Sequence, residues 1–140
     1  MLRKLKLSDY KLSFFELLSQ LTITTDCNEK KFIEQFNNLK SSDLHLVIEQ
    51  DGKIIAYGAI IIDFKFYRNF RNVGHIEDIV IHKDYRGNNY SKIIIDELIK
   101  YGESMNCYKI VLNCDNKLKS FYKKFNFTEK GSFLVKSYIY

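Results

Sequence analysis

Residues 74–92 read GHIEDIVIHKDYRGNNYSK, and the fold turns on how they are understood. His75 to Ile81 is rich in β-branched residues and reads as a strand, yet Glu77 and Asp78 stand side by side within it. Successive side chains of a strand point to opposite faces, so a regular pleat sends one of two adjacent acids inward. A carboxylate facing a core costs several kcal/mol unless it is paired or wet. The pair therefore marks a cleft edge or a β-bulge. Arg86-Gly87-Asn88-Asn89-Tyr90-Ser91-Lys92 then leads into a periodic apolar run. A loop that opens a helix leaves backbone N–H groups unpaired, and these suit a phosphate. The whole stretch reads as a pyrophosphate cradle beside a carboxylate-bearing strand.

Downstream, Tyr90, Ile94, Leu98, Tyr101 and Met105 share one face of a helix running to about Met105, with Ile93 nearby and Asn106 as its C-cap. Tyr108 to Cys114 reads as a buried strand, Leu118 to Phe125 as a short helix, and Thr128 to Tyr140 as a closing strand with Phe133 and Val135 on one face. Upstream, Leu2, Leu5 and Leu7 alternate with cations in a first strand. Ser8 or Asp9 caps a helix that buries Leu12, Phe15, Leu18 and Leu21. Asp26 and Glu29 have capping-box spacing before a second helix that turns Phe32, Ile33, Phe36 and Leu39 inward. Leu44 to Gln50 and Lys53 to Asp63 are strands joined at Asp51-Gly52, a strong hairpin signal. Phe64 to Val73, FKFYRNFRNV, fits either the end of that hairpin or a loop over a cleft. The order is β-α-α-β-β-β-α-β-α-β, without repeat or linker, and the expectation is one mixed α/β domain over residues 1–140.

The bulk numbers narrow the class. A chain of 140 residues with 46% apolar and 28% charged content buries an ordinary core. A net charge of +5 suits an anionic small molecule and falls short of a nucleic-acid footprint, so no nucleic-acid partner is expected. Cys27, Cys107 and Cys114 show no metal-ligand spacing and read as reduced thiols, with no metal expected. MLRKLKLSDYK has no apolar run of signal length and no stretch approaches a membrane span, so the expected setting is the cytoplasm, with no membrane partner.

The Arg86-Gly87 loop opening a helix, together with Phe121-Tyr122-Lys123-Lys124-Phe125-Asn126-Phe127, resembles the GNAT superfamily of acetyl-CoA-dependent N-acetyltransferases. GHIEDIV at 74–80 and CYKIVLNC at 107–114 are more specific, and are similar to the branch that acetylates D-glucosamine 6-phosphate on the way to UDP-N-acetylglucosamine. The resemblance implies a central, mostly antiparallel mixed sheet whose fourth and fifth strands splay, flanked by helices. It implies acetyl-CoA as cosubstrate, with direct attack by the amine in a ternary complex.

The resemblance also assigns roles. The backbone of Ile79, Val80 and Ile81 would pair with the pantetheine arm, and the Ile79 amide would face the oxyanion. The amides of Gly87, Asn88, Asn89, Tyr90, Ser91 and Lys92, with Arg86, would hold the pyrophosphate. Tyr122 would sit by the coenzyme sulfur and donate to the leaving thiolate. Glu77 would take a proton through water, and Asp78 would meet the sugar. Thr22, Lys65, Phe66, Tyr67 and Arg68 would line the sugar-phosphate pocket, with Lys136 reaching it from a second subunit of a homodimer. Asn113 would offer its backbone carbonyl to the amine.

Several positions depart from the family pattern. Asn89 replaces a preferred glycine and Ser91 a glycine or alanine. Asn113 replaces an acid, Leu118 an asparagine, Asn126 a glycine and Ser137 an arginine. Asparagine tolerates left-handed backbone, so the cradle is expected to form. An amide at 113 holds no negative charge, so the expectation is activity with a raised KM for the amine. Two other readings remain: the same fold serving another amine, such as a peptide or small molecule, and a non-catalytic acetyl-CoA-binding module. His75 and His82 receive no role.

Overall fold

The computed structural model describes residues 1–139. Its frame is a five-stranded sheet in the order β1-β2-β3-β4-β5: β1 Leu2–Lys4, β2 Leu44–Gln50, β3 Lys53–Asp63, β4 Asn72–Ile81 and β5 Cys107–Val111. The first four strands pair antiparallel, and β4 pairs parallel with β5. The expected mixed α/β architecture with a mostly antiparallel sheet is therefore the one observed. Asp51 and Gly52 both have positive φ, 51° and 74°, the backbone a two-residue turn between right-twisted strands demands.

Two apolar layers sandwich the sheet. On one face Leu46, Ile48, Ile60 and Ile76 pack beneath Ile94 and Leu98 of α3, Tyr90–Ser104. On the other, Val47, Tyr57, Ala59 and Val80 pack against Phe14, Leu17 and Phe32. These last come from α1, Phe14–Leu18, and α2, Glu29–Asn37. A short helix, α4, spans Lys119–Lys123.

The α1 region differs from the periodic expectation. A 3-10 turn at Leu7–Lys11 precedes it, and Ser13 then takes a left-handed φ of 63°. That break resets the helical phase, so Phe14 and Leu17 are buried, while Leu12, Phe15 and Leu18 pack at the margin and Leu21 is exposed. Asp9 caps the 3-10 turn by accepting from the Lys6 N–H, and it is fully buried in a two-pronged pair with Arg3 that also engages Glu49. The cap of α2 is Asn28, whose side chain accepts from the Lys31 N–H at 3.0 Å, in place of the Asp26–Glu29 box. Leu39 lies past the end of α2 and is exposed. Within α3 it is Ile95, not Ile93, that joins Ile94 and Leu98 in the core. Asn106 follows the helix with a left-handed φ of 59°, the expected terminator. β5 is half-buried and ends at Val111.

The closing strand expected over residues 128–140 is absent among the described residues. Phe133, Leu134, Val135, Tyr138 and Ile139 are exposed and belong to no strand of the sheet. Tyr140 lies outside the described residues.

Candidate active site

The site begins with a bulge. In the β3–β4 ladder Tyr57 faces Val80 and Ala59 faces Glu77, so two residues of β3 span three of β4. The extra residue falls at Asp78-Ile79, opposite Gly58, and Asp78 adopts φ 59°. Gly58 is what leaves the room: a Cβ there would stand 2.6 Å from Ile79 Cδ1 and 2.8 Å from Ile94 Cγ2. The bulge resolves the problem of the adjacent acids, since both Glu77 and Asp78 are exposed and neither is driven into the core.

The second feature is where the next ladder stops. β5 pairs with β4 only from Asn72 to His75. Ile76 to Ile81 therefore runs on with β3 on one edge and no strand on the other, a bare edge of about 20 Å. Apart from the Ile81 carbonyl, which accepts from Arg86, the N–H and C=O groups along this edge are a template for an extended partner. At the far end of this edge comes the glycine loop. Gly87 has φ 86° and Asn89 φ 62°, so asparagine supplies the left-handed turn that a glycine otherwise would. Nothing lies within 4 Å of a Cβ built on Gly87, which leaves the loop open to an incoming group. Asn89 starts α3, whose first-turn amides, Tyr90 to Lys92, have no intrahelical acceptor. The Lys92 ammonium is paired with Asp96, leaving its backbone as the free group. The Arg86 guanidinium donates back to the Ile81 carbonyl at 3.2 Å, and Asn88 donates to the Tyr85 carbonyl at 3.0 Å.

Further candidate side chains lie beyond β5 in the chain, one of them on α4. Tyr122 is buried, edge-on to Phe121 at 5.1 Å and to Phe127 at 6.1 Å. Burial, helped by Cys114, pushes its hydroxyl above the usual tyrosine pKa, so it holds its proton at neutral pH. Asn113 is exposed in the segment that follows β5.

The acids share a face with further polar groups. Directly paired residues of antiparallel strands lie on one side of the sheet, so the pairs Ala59–Glu77, Ile61–His75 and Asp63–Val73 put Glu77, His75 and Asp63 on the α1 side. Asp63 accepts from the Lys65 ammonium at 2.7 Å and lies 3.5 Å from His75 Nε2. The Lys65 hydrogen bond, with smaller help from His75, holds the Asp63 carboxyl below its usual range. Lys65 is thus not a bare cation. The segment around it, residues 64–71, is irregular and, Lys65 apart, exposed, so FKFYRNFRNV is a loop up to Arg71 before β4 begins at Asn72. Arg68, Asn69 and Phe70 all have positive φ. Arg68 lies over the Tyr108 ring at 5.2 Å and Tyr67 packs edge-on to it at 6.4 Å, which anchors the loop to β5. Phe66 is the most exposed of its aromatics, at 89%.

Thr22 stands exposed just past α1. Lys136 lies in the tail, its ammonium 5.8 Å from the Tyr138 ring centroid. Two groups escaped sequence reasoning. His45 and Tyr57 form a polar pair on the same face as Glu77, and only the register of β2 against β3 brings them together. Among the described residues no cluster of three or more His, Cys, Asp or Glu side chains is placed to hold a metal ion.

A bulged, splayed β4 that runs into an amide-rich helix start defines a GNAT-class acyltransferase, and the acetyltransferase (GNAT) family model matches residues 9–127. Two relatives carry this further. Glucosamine 6-phosphate N-acetyltransferase of Arabidopsis thaliana is 39% identical over 93% of this chain and 91% of its own length. Glucosamine 6-phosphate N-acetyltransferase 1 of Dictyostelium discoideum is 40% identical over 92% and 85%. The crystal structure of the Arabidopsis enzyme superposes with a TM-score of 0.95 at 36% identity, covering 99% of this chain and 98% of that one. Within GNAT, the chain belongs to the glucosamine 6-phosphate N-acetyltransferase family.

Proposed function

We propose that this enzyme transfers the acetyl group of acetyl-CoA to the amine of D-glucosamine 6-phosphate, giving N-acetyl-D-glucosamine 6-phosphate and CoA, a step toward UDP-N-acetylglucosamine. The observation that carries the proposal is the unpartnered edge of β4 from Ile76 to Ile81 beside the Glu77-Asp78 bulge. It offers a slot for a pantetheine arm and two carboxylates for an amino sugar, side by side.

The chemistry is one displacement. The amine nitrogen forms a bond to the acetyl carbon, the carbon–sulfur bond breaks, and a proton leaves the nitrogen while the sulfur departs as thiolate. Holding both reactants in one cleft removes most of the entropic barrier. Ile79, Val80 and Ile81 pair with the pantetheine, and the Ile79 N–H faces the carbonyl oxygen as charge develops there. The amides of Gly87 to Lys92 receive the pyrophosphate, aided by the helix dipole and Arg86. Glu77 accepts the amine proton through water. The hydroxyl of Tyr122, kept protonated by burial, donates to the thiolate. Asp78 binds sugar hydroxyls, and the Asn113 carbonyl orients the amine.

Thr22, Lys65, Phe66, Tyr67 and Arg68 surround the sugar phosphate, with Asp63 holding Lys65 in place until the phosphate arrives. Lys136 comes from a second copy of the chain. The exposed apolar side chains between Phe133 and Ile139 support that homodimer, because an extended segment outside the sheet of its own chain is available to a second copy. Three free cysteines fit a reducing cytoplasm. One GNAT domain accounts for the chain, in keeping with the span of the family match.

The test is CoA release from acetyl-CoA with glucosamine 6-phosphate against unphosphorylated glucosamine. Turnover with the phosphorylated sugar alone is the expected result. Turnover with neither, while acetyl-CoA still binds, overturns the substrate and returns the chain to other amines.

A further inference from the structure

The first turn of α3 has no ordinary cap. Asn89 stands at its N-cap position with a left-handed φ of 62°, and its side chain makes no capping hydrogen bond. A helix start of this kind frays, because its leading N–H groups lack intrahelical acceptors and nothing fixes the residues that carry them. A capping side chain would cure that by accepting from the second or third amide of the helix, here Ser91 or Lys92. Those amides belong to the proposed pyrophosphate cradle. A cap and the anion would compete for one set of donors.

The turn is held from the side instead. The Tyr90 hydroxyl donates to Gln50 Oε1 at 2.8 Å, between residues 40 apart in sequence. Tyr90 is the first residue of α3, and its ring packs against the apolar layer beneath that helix. Gln50 is the last residue of β2 and pairs with Lys53 across the Asp51-Gly52 turn. It alternates with Ile48, whose side chain lies in the layer on the α3 side, so the same pleat aims Gln50 at the helix. β2 itself runs inside the sheet, between β1 and β3, which makes Gln50 a fixed post. On the other flank of the loop the Asn88 side chain donates to the Tyr85 carbonyl at 3.0 Å. Neither contact uses a backbone N–H of residues 87–92.

We infer that Gln50 is a positioning residue for acetyl-CoA: through the Tyr90 hydroxyl it fixes the first turn of α3 in place of a helix cap, and it leaves the amides of Tyr90, Ser91 and Lys92 free for the pyrophosphate. This rests on the reading of Gly87 to Lys92 as the pyrophosphate cradle. A turn that is already ordered loses less conformational freedom when the anion binds, so the contact adds affinity for the diphosphate without touching it. It has no part in the acyl or amine chemistry, so its loss is felt through the nucleotide half of the donor alone.

The experiment has two arms, both on the whole protein. In the first, calorimetry gives the Kd of acetyl-CoA with no acceptor present, so the result stands whatever the amine. Gln50→Leu removes the acceptor and Tyr90→Phe the hydroxyl, and each weakens binding roughly fivefold, the scale of one hydrogen bond between neutral groups. The double variant is no weaker than either single one, because both delete the same bond. In the second arm, turnover is compared with acetyl-CoA and with acetylpantetheine, which carries the same thioester but lacks the diphosphate and nucleotide. Gln50→Leu raises KM for acetyl-CoA and leaves kcat/KM for acetylpantetheine at the wild-type value. An unchanged acetyl-CoA Kd in Gln50→Leu, or additive losses in the double variant, overturns the inference. Equal losses with the two donors assign the contact to packing and also overturn it. A wild-type enzyme that uses both donors with equal efficiency is a distinct outcome: it breaks the pyrophosphate cradle itself, and the role of Gln50 falls with it.

Discussion

Val73, Gly74 and His75 lie between two strands, and Ile79, Val80 and Ile81 lie beside only one. Both segments belong to β4, and both are apolar enough for a core. The first half is closed on each edge and welds β5 to the sheet. The second half is bulged on one side and bare on the other. Stability and function are thus divided along a single strand, and the division falls at Glu77-Asp78, where the pleat is broken. The strand keeps both ladders from Val73 to His75 and gives one up beyond it, where the proposed pantetheine arm would supply the missing hydrogen bonds.

The sharpest way to test this division is to remove chemistry without touching structure. Tyr122→Phe keeps the ring against Phe121 and Phe127 and deletes only the hydroxyl. As loss of the proposed donor to the thiolate, it is expected to lower kcat about 10²–10³-fold, the usual range for loss of a positioned acid. Its melting temperature should match wild type. An unchanged kcat together with a lower melting temperature would make Tyr122 a core aromatic only.

The opposite break lies at the far edge of the sheet. Asp9→Asn leaves Arg3 charged and deprived of its buried partner, at a cost of about 3 kcal/mol, while kcat of the folded protein should not change. Denaturant midpoints and turnover measured on one preparation check both halves. The same pair sets an acid limit. Burial by itself would raise the Asp9 pKa, and the Arg3 and Lys6 hydrogen bonds outweigh it and leave it lowered. A depressed folded value means the contribution is complete above the ordinary aspartate pKa of about 3.9 and is lost as pH falls through the folded value. The variant should therefore show a shallower loss of stability in acid than wild type.

Much of this was legible in the chain. The bounds of β2 and β3 follow from alternation and from Asp51-Gly52, and the bulge follows from two acids that no regular strand accommodates. The glycine loop and α3 announce themselves by residue type. Three things were not legible, each for a physical reason. Burial on α1 depends on Ser13, whose left-handed turn shifts the phase of the helix, and a residue count across that point carries the wrong register. The tail has strand-like alternation, but a strand exists only where an edge receives it, and no edge of this sheet does. The His45–Tyr57 pair joins residues 12 apart in sequence through the β2–β3 ladder, and neither residue type marks it in isolation.

A milder pair of substitutions separates the two halves of β4 within the core. Gly74→Ala, in the closed half, puts a Cβ 2.8 Å from Ile60 Cδ1. Gly58→Ala, opposite the bulge, puts one 2.6 Å from Ile79 Cδ1. Both overpack, and each should cost about 1–3 kcal/mol of stability. Only Gly58→Ala presses on Ile79, the residue whose amide is proposed to face the reacting carbonyl, so only it should also lower kcat. Equal losses of kcat in the two variants would erase the distinction between the halves.

Asn113 gives the smallest expected effect and the finest test. It is exposed where β5 has ended and the gap beside β4 is open, so its side chain can change without repacking. The proposed role for its backbone carbonyl, orienting the amine, needs no charged side chain, and on that reading the enzyme acts without an acid there. An acid would nevertheless add attraction to the ammonium form of the sugar as it arrives, an effect of about 1 kcal/mol at a wet site with high effective dielectric. Asn113→Asp should therefore lower KM for glucosamine 6-phosphate about fivefold and leave KM for acetyl-CoA unchanged. The gain should shrink as salt is raised, because an exposed charge is screened within about 10 Å at 0.1 M. A gain that persists at high salt would mean the acid makes a direct hydrogen bond to the sugar, and a parallel change in acetyl-CoA KM would place residue 113 on the coenzyme side of the gap.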